Sequence, residues 1–446
     1  MREKRSLLWF KNELRLQDNE ILFRAAAKAS FVLPVYIIDP AQFQPKKFRF
    51  PKTGYYRAKF LIESLTDLKT ALQGRGADLH VYIGRAEEII PQLVRQLNLS
   101  VVYASQETGS EELYIQNAID LQLKKLGVSL ELYWQNTLYH VDDIPWPIQR
   151  LPDTFTNFRK ELEQESQVRK NFPIPEIAYQ QEIASHVIPT LQDLGFSPQP
   201  TDARSAIEFK GGEQKAKERM QEYFWEKDLL RTYKETRNEL LGPDYSSKFS
   251  AWLSLGCISP RTIYEEVKRY EQERIKNDST YWLIFELMWR DYFRFASKKY
   301  GSKIFQHNGL RNKTLISNNN VDLFEKWRIG ETGVDFIDAN MKELLYSGFM
   351  SNRGRQNVAS FLTKDYKVDW TWGAAWFESQ LIDYDVSSNW LNWAYIAGVG
   401  NDPREDRYFN TESQVRKYDP KGEYSRHWLA GKADVLKHAP ESNIIS

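Results

Sequence analysis

SLLWFKNELRLQDN, residues 6–19, starts as a short apolar run and continues into a polar stretch without a glycine. The run SLLWF follows MREKR directly and reads as a first β-strand. If the sheet it begins bound a dinucleotide by the Rossmann recipe, a glycine-rich turn would follow that strand, because only glycine lets the backbone approach a pyrophosphate closely. FKNELRLQDN cannot do this. The lone GRG at 74–76 reads as the end of a helix and not as a phosphate cradle.

Outward from this stretch, strand-like runs recur at Phe31–Ile38, Asp78–Gly84, Ser100–Ser105 and Ser129–Trp134. Helical patterns lie between them, clearest over Gly54–Leu72 and Glu111–Leu126. This βαβ alternation predicts a parallel sheet with helices on both faces. Residues 135–205 are rich in proline and polar side chains (HVDDIPWPIQRLP, FPIP, FSPQPTD) and read as a connector. From about 206 the strand signal fades into helical patterns rich in tryptophan and tyrosine. The expected organisation is an α/β domain over 1–134, a linker over 135–205 and an all-helical domain over 206–446.

Composition narrows the chemistry. The chain has 446 residues, 41% apolar and 27% charged, with a formal charge of +1, so any polyanion site must come from local clustering. A single cysteine, Cys257, excludes an internal disulfide, and the six histidines show no paired ligand spacing, which argues against a metal. No apolar run reaches the length of a membrane span, and no signal peptide is evident. A monomeric cytoplasmic protein is the expectation.

Four stretches could carry chemistry. In SSNWLNWAYI, 387–396, and the residues before it, Asp385, Asn389 and Trp393 fall at i, i+4 and i+8 on one helical stripe. An acid, an amide and an indole on a buried face suit a flat heterocycle with polar edges; a capped core helix is the plain alternative. Five of the 14 tryptophans lie within 370–393. In SGFMSNRGRQNVASFL, 347–362, Arg355 could pair with Asp383 or Asp385 and Arg353 could face phosphate, or both could be surface arginines at a helix start. In ELMWRDYFRF, 286–295, Glu286, Trp289 and Arg290 share a helical face, suited to a stacked and hydrogen-bonded base; a helical Glu286–Arg290 salt bridge is the alternative. In GPDYSSKFSAWLSLG, 242–256, Ser246, Ser247, Lys248 and Ser250 at a helix start make a pyrophosphate site, beyond what helix capping needs.

With these residues quoted, the chain resembles the photolyase/cryptochrome family from LLWFKNELRLQDN to GEYSRHWL. SNRGRQNVASFL, GVGNDPREDRYFN and the Gln356/Tyr395 pair are similar to its cryptochrome DASH branch. The resemblance implies an antenna-binding α/β domain and a helical domain holding FAD in a bent form, hence a sheet without the glycine fingerprint. Tyr233 and the run Ser246, Ser247, Lys248, Phe249 and Ser250 would hold the FAD phosphates. Asn352, Arg355, Asp383, Tyr384 and Asp385 would line the rest of the cofactor, with Asn389 beside the flavin N5. Glu286, Trp289, Arg290, Gln356 and Tyr395 would line the lesion pocket; Arg237, Asn352, Arg353 and Arg407 would contact DNA. Glu107 is the candidate ligand of an antenna, methenyltetrahydrofolate in the family's usual case. Trp393 and Trp370 would be the inner steps of an electron relay whose outer tryptophan, due near Ser317, is missing; another aromatic, such as Trp372 or Trp376, would then carry the electron out. Leu391 and Ala394 also depart from the branch's usual glycine and glutamine.

The implied activity is blue-light repair of cyclobutane pyrimidine dimers by an electron from reduced FAD, with Glu286, Trp289, Asn389, Trp393 and Trp370 as the acting residues. Because Gln356 and Tyr395 stand where duplex-repairing relatives have apolar side chains, single-stranded DNA is the expected substrate. The second reading is a blue-light photoreceptor that binds FAD and nucleic acid and does little repair. The complete lesion pocket speaks for the enzyme, and the missing tryptophan and the short stretch after HWLAGKADV speak against a sensor. A light-independent flavin oxidoreductase would need a hydride-donor site, and none is evident.

Overall fold

The structure, a computed structural model, describes residues 4–45, 48–404 and 407–430. The closing stretch 431–446, on which the expectation of a short tail rests, lies outside the described residues, as do Glu405 and Asp406 of the GVGNDPREDRYFN motif.

Five parallel strands, β1 (Arg5–Phe10), β2 (Phe31–Ile38), β3 (His80–Ile83), β4 (Val101–Ser105) and β5 (Ser129–Tyr133), lie in the order β3-β2-β1-β4-β5. The register sets Leu7 beside Leu33 on one side and Val102 on the other. Strand periodicity separates the two faces. Leu7, Trp9, Leu33 and Val35 pack with Ile90, Val94, Ile119 and Leu123 of α3 (Ala86–Gln96) and α4 (Ser110–Lys125). Leu8, Phe10 and Val32 pack with Ile21 of α1 (Glu20–Lys28) and Leu61, Leu65 and Leu68 of α2 (Tyr55–Gln73), in a core that continues into the helical half. Both faces are therefore covered, as an all-parallel sheet requires. Gly74 of the GRG triplet caps α2 through its N–H.

The connector is less plain than its prolines suggest. It carries α5 (Phe155–Glu165), whose Phe155, Phe158 and Leu162 are buried at i, i+3 and i+7. Beyond it come α6 (Glu213–Gln221), α7 (Tyr233–Thr236), α8 (Ser250–Ser254), α9 (Pro260–Glu273), α10 (Asp278–Tyr300), α11 (Val321–Ile329), α12 (Asp335–Ser347) and α13 (Asn352–Ser360). They are followed by α14 (Trp370–Gln380), α15 (Val386–Ala397), α16 (Thr411–Tyr418) and α17 (Glu423–Leu429). α15 packs against α10, α13 and α14. Among the described residues no helix is long and apolar enough to cross a membrane, and no cluster of three or more His, Cys, Asp and Glu could hold a metal.

Candidate flavin and nucleic-acid site

α15 begins at Asp385, which is its N-cap and accepts the N–H of Ser388. The acid of the predicted stripe thus stands at the helix mouth and leaves the interior face to Asn389 and Trp393. Burial alone would raise its pKa; the nearby guanidinium groups of Arg290 and Arg294 outweigh that and hold the carboxylate below its usual range. Asn389 is buried, and its Nδ2 donates to the Ala374 carbonyl of α14 at 3.0 Å, which leaves Oδ1 for a cavity. Asp383, Asp385, Asn389 and Trp393 line that cavity with Arg355 and Gln356 of α13, beside Asn352, Tyr384 and Phe377.

Two polar atoms of this lining, and a third in the serine loop, are buried without a hydrogen-bond partner. Arg355 Nη2 donates to Asp383 Oδ2 at 2.8 Å, but Asp383 Oδ1 is unpaired, as is Gln356 Oε1. The third is Lys248 Nζ, in the serine loop. Lys248 sits in a left-handed backbone conformation (φ 57°), with its ammonium 3.5 Å from the ring centroid of Tyr245. Burial pulls its pKa down to about 7, against the pull of Glu343. An ammonium without an anion and a carboxylate oxygen without a donor are costly to bury. They match an anionic pyrophosphate and a ring N–H, so these residues fit FAD. The loop is held from behind by Arg219, which donates to the carbonyls of Pro243, Ser246 and Ser247. Ser250 is exposed at the start of α8, Phe249 is buried before it, and Tyr233 is buried at the start of α7.

The acid–indole–guanidinium group on α10 divides. Glu286 pairs with Arg237 of α7 at 2.6 Å and accepts the Trp282 indole N–H at 3.2 Å. The helical Glu286–Arg290 bridge does not form: Arg290 donates to the Asn136 and Leu253 carbonyls, bracing α10 against the start of the connector and α8. Burial raises the Glu286 pKa and Arg237 opposes it. Trp289 stacks on Phe155 of α5 (3.8 Å, 11°) and meets Tyr395 of α15 edge-on at 6.2 Å. The connector thus supplies a ring to this wall, and the spacing of Phe155, Phe158 and Leu162 was the signal for it. Tyr395 accepts from Arg407, which pairs with Asp402. Arg353 donates to Asn238 and lies over the Tyr418 ring.

Glu107 follows β4, at the carboxyl edge where the strand order reverses between β1 and β4, the usual ligand crevice of such sheets. It is buried and paired with Arg294 of α10 at 2.9 Å, while its Oε1 has no partner. Arg294 also stands 3.8 Å from Asp385 and so links the two candidate sites. No periodicity in the sequence points to Arg294.

Comparison with known proteins agrees with this geometry. The helical half matches the FAD binding domain of DNA photolyase over residues 282–444, and the sheet half matches DNA photolyase over residues 6–177. Together they define a photolyase-type flavin-binding protein. Cryptochrome DASH of Gloeobacter violaceus is 49% identical over 99% of this chain and 89% of its own length. The crystal structure of a Synechocystis cryptochrome aligns with a TM-score of 0.92 at 49% identity, covering 96% of this chain and 89% of that one. An archaeal photolyase from Sulfolobus tokodaii, solved with two FAD molecules, aligns at 0.78 and 25% identity, over 96% of this chain and 91% of that one. The chain belongs to the photolyase/cryptochrome family, in its cryptochrome DASH branch.

Proposed function

We propose that this protein repairs cyclobutane pyrimidine dimers under blue light, preferentially in single-stranded DNA. The observation that carries the reading is the set of unpaired buried atoms, Lys248 Nζ, Asp383 Oδ1 and Gln356 Oε1, near a wall built from Glu286, Trp289 and Tyr395. Bound in reduced form, FAD supplies a single electron when excited by blue light. Lys248 would offset the charge of its phosphates and the serine loop would donate to them, Asp383 would accept a ring N–H with Arg355 holding the carboxylate in place, and Asn389 would present an amide oxygen to the ring. Glu286, kept close by Arg237, offers hydrogen bonding to an extruded base, and Trp289, backed by Phe155, offers a stacking face. Arg353 and Arg407 meet the phosphates. Gln356 and Tyr395 give this wall less apolar surface than a duplex-repairing pocket, so less of the unstacking cost is offset.

Glu107, at the strand-order reversal, would hold a folate antenna, its free oxygen accepting from the pterin edge. A reducing compartment, the cytoplasm, suits the buried free thiol of Cys257. The test is repair of one dimer in matched single- and double-stranded oligonucleotides under blue light, with a dark control. Faster repair of the single strand is expected. Bound flavin with no repair in either context would favour the photoreceptor reading.

A further inference from the structure

The relay implied by Trp393 and Trp370 has no tryptophan at its expected outer position: Ser317 lies there, and the next residue, Asn318, bridges to Val368. Trp372 and Trp376, the outer candidates from the sequence, have ring contacts with phenylalanines (Phe48 and Phe324, and Phe50), whereas indole-to-indole contacts offer two ways onward. Trp393 lies against Gly373 of α14, where an added Cβ would meet its ring at 2.3 Å, one turn from Trp370. One branch runs from Trp393 to Trp327, edge-on at 6.0 Å; Trp327 is fully buried and its N–H donates to the Val358 carbonyl. Beyond it lies Phe324, whose ring does not carry a hole. The other runs from Trp370 to Trp390, edge-on at 6.0 Å. Trp370 itself donates to the His307 carbonyl. Trp390 differs from both: its indole N–H points at the Glu378 carboxylate, 3.2 Å from Oε2, with the Tyr384 hydroxyl at 3.3 Å. It is also the most exposed of these four indoles, at 8%.

An oxidised indole is a far stronger acid than indole itself. A backbone carbonyl does not take its proton; a carboxylate does. We propose that Trp390 and Glu378 form the terminus of the electron relay in this protein, in place of the missing outer tryptophan. The proposal rests on the light-driven electron-transfer reading above. The oxidant is a light-excited oxidised flavin in the pocket, reached through Trp393 and Trp370. Trp390 loses one electron to the hole on Trp370, and its N–H proton passes to Glu378 Oε2. A neutral indolyl radical and a carboxylic acid remain, and an external thiol returns the hydrogen atom. Burial raises the Glu378 pKa, with Lys52 and Arg57 opposing, which makes the carboxylate a better proton acceptor while it stays ionised.

The test illuminates the oxidised flavin-loaded protein and reads the protein radical by transient absorption and freeze-quenched electron paramagnetic resonance, with flavin content measured for each variant. Trp390→Phe is expected to lose the long-lived radical; Trp390→Tyr, which fills the same space, replaces it with a tyrosyl signature. Glu378→Gln is expected to leave an indole radical cation that decays faster than the neutral radical. An unchanged radical in Trp390→Phe overturns the assignment, and an unchanged neutral radical in Glu378→Gln overturns the proton transfer. Trp393→Phe separates the two levels. If it abolishes the radical while Trp390→Phe does not, only the terminus is wrong; if it changes nothing, the relay itself is.

Discussion

At the seam between the sheet and the helical half, Arg15 is 1% exposed and donates to Asn136, the Gly256 carbonyl, the Asp18 carbonyl and the Gln17 carbonyl. Asp18, fully buried, takes two bonds from Arg261 and one from the Phe172 N–H. Asp291 accepts the N–H groups of Leu138 and Tyr139. At the candidate flavin site, by contrast, Asp383 and Gln356 in the cavity beside α15 and Lys248 in the serine loop each leave a buried polar atom unpaired. Both regions bury charge, but only the seam satisfies it internally. A saturated buried charge holds the halves together, and an unsaturated one indicates a partner from outside the chain.

The largest effect should therefore come from the seam. Asp18→Ala strands the Arg261 guanidinium and is expected to cost ~3–5 kcal/mol of stability, measured by chemical denaturation of the flavin-loaded protein. Asp18→Asn, which keeps the residue's left-handed turn and one acceptor, should cost less. A loss under ~1 kcal/mol for Asp18→Ala, as for an exposed pair, would erase the distinction between seam and cavity.

The cavity should respond in the opposite sense. Lys248→Met removes a charge that has no hydrogen-bond partner, so the flavin-free protein should be no less stable, while flavin affinity falls by about tenfold or more for the ~1.5–3 kcal/mol of a charge-assisted hydrogen bond. The sign with pH follows. With the folded pKa depressed to about 7 from 10.5, the unfolded chain holds a proton that the flavin-free fold releases. Stability of that form thus rises with pH across this window. A bound anion restores the proton, so flavin affinity should fall as pH rises above about 7. Glu343, itself raised to about 7 by burial, acts in the same direction when it ionises; Arg219, Asp244 and Arg355 also face the ammonium. A dialysis series of flavin retention against pH checks this. The slope should flatten in Lys248→Met, and an undiminished slope assigns it to Glu343 instead.

The two regions also differed in how far the sequence disclosed them. Short apolar runs placed β2 at Phe31–Ile38 to the residue and the other strands to within two, because a parallel sheet covered on both faces makes each strand a near-continuous apolar segment. The Arg355–Asp383 pair was legible from the residues only as one of two alternatives, Asp383 or Asp385, and the family resemblance chose between them; the structure pairs Arg355 with Asp383. What stayed hidden is contact between distant segments. Glu286 meets Arg237 and not Arg290; Glu107 meets Arg294; Phe155, inside a segment dominated by prolines, backs Trp289. Each joins elements far apart in the chain, and helical spacing says nothing about which elements pack together.

The mildest prediction concerns the wall of Glu286, Trp289 and Tyr395 proposed to receive an extruded base. Gln356 Oε1 is buried without a partner, and the Tyr395 hydroxyl is committed to Arg407. Both side chains pair polar atoms with apolar surface, so neither gives an extruded dimer the full burial that would offset unstacking. Gln356→Met removes an unsatisfied oxygen and adds apolar contact; Tyr395→Trp enlarges the ring that meets Trp289 edge-on. Together they should add ~1–2 kcal/mol of favourable burial to the flipped state. The proposed repair of a single strand would avoid most of the unstacking cost and should change little. Duplex repair should rise, narrowing the single- to double-strand rate ratio about tenfold, since ~1.4 kcal/mol is one decade. A ratio that stays put while both rates shift together would mean that unstacking is not offset at this wall, and the duplex barrier would then lie with the basic residues Arg237, Arg353 and Arg407, the proposed strand contacts.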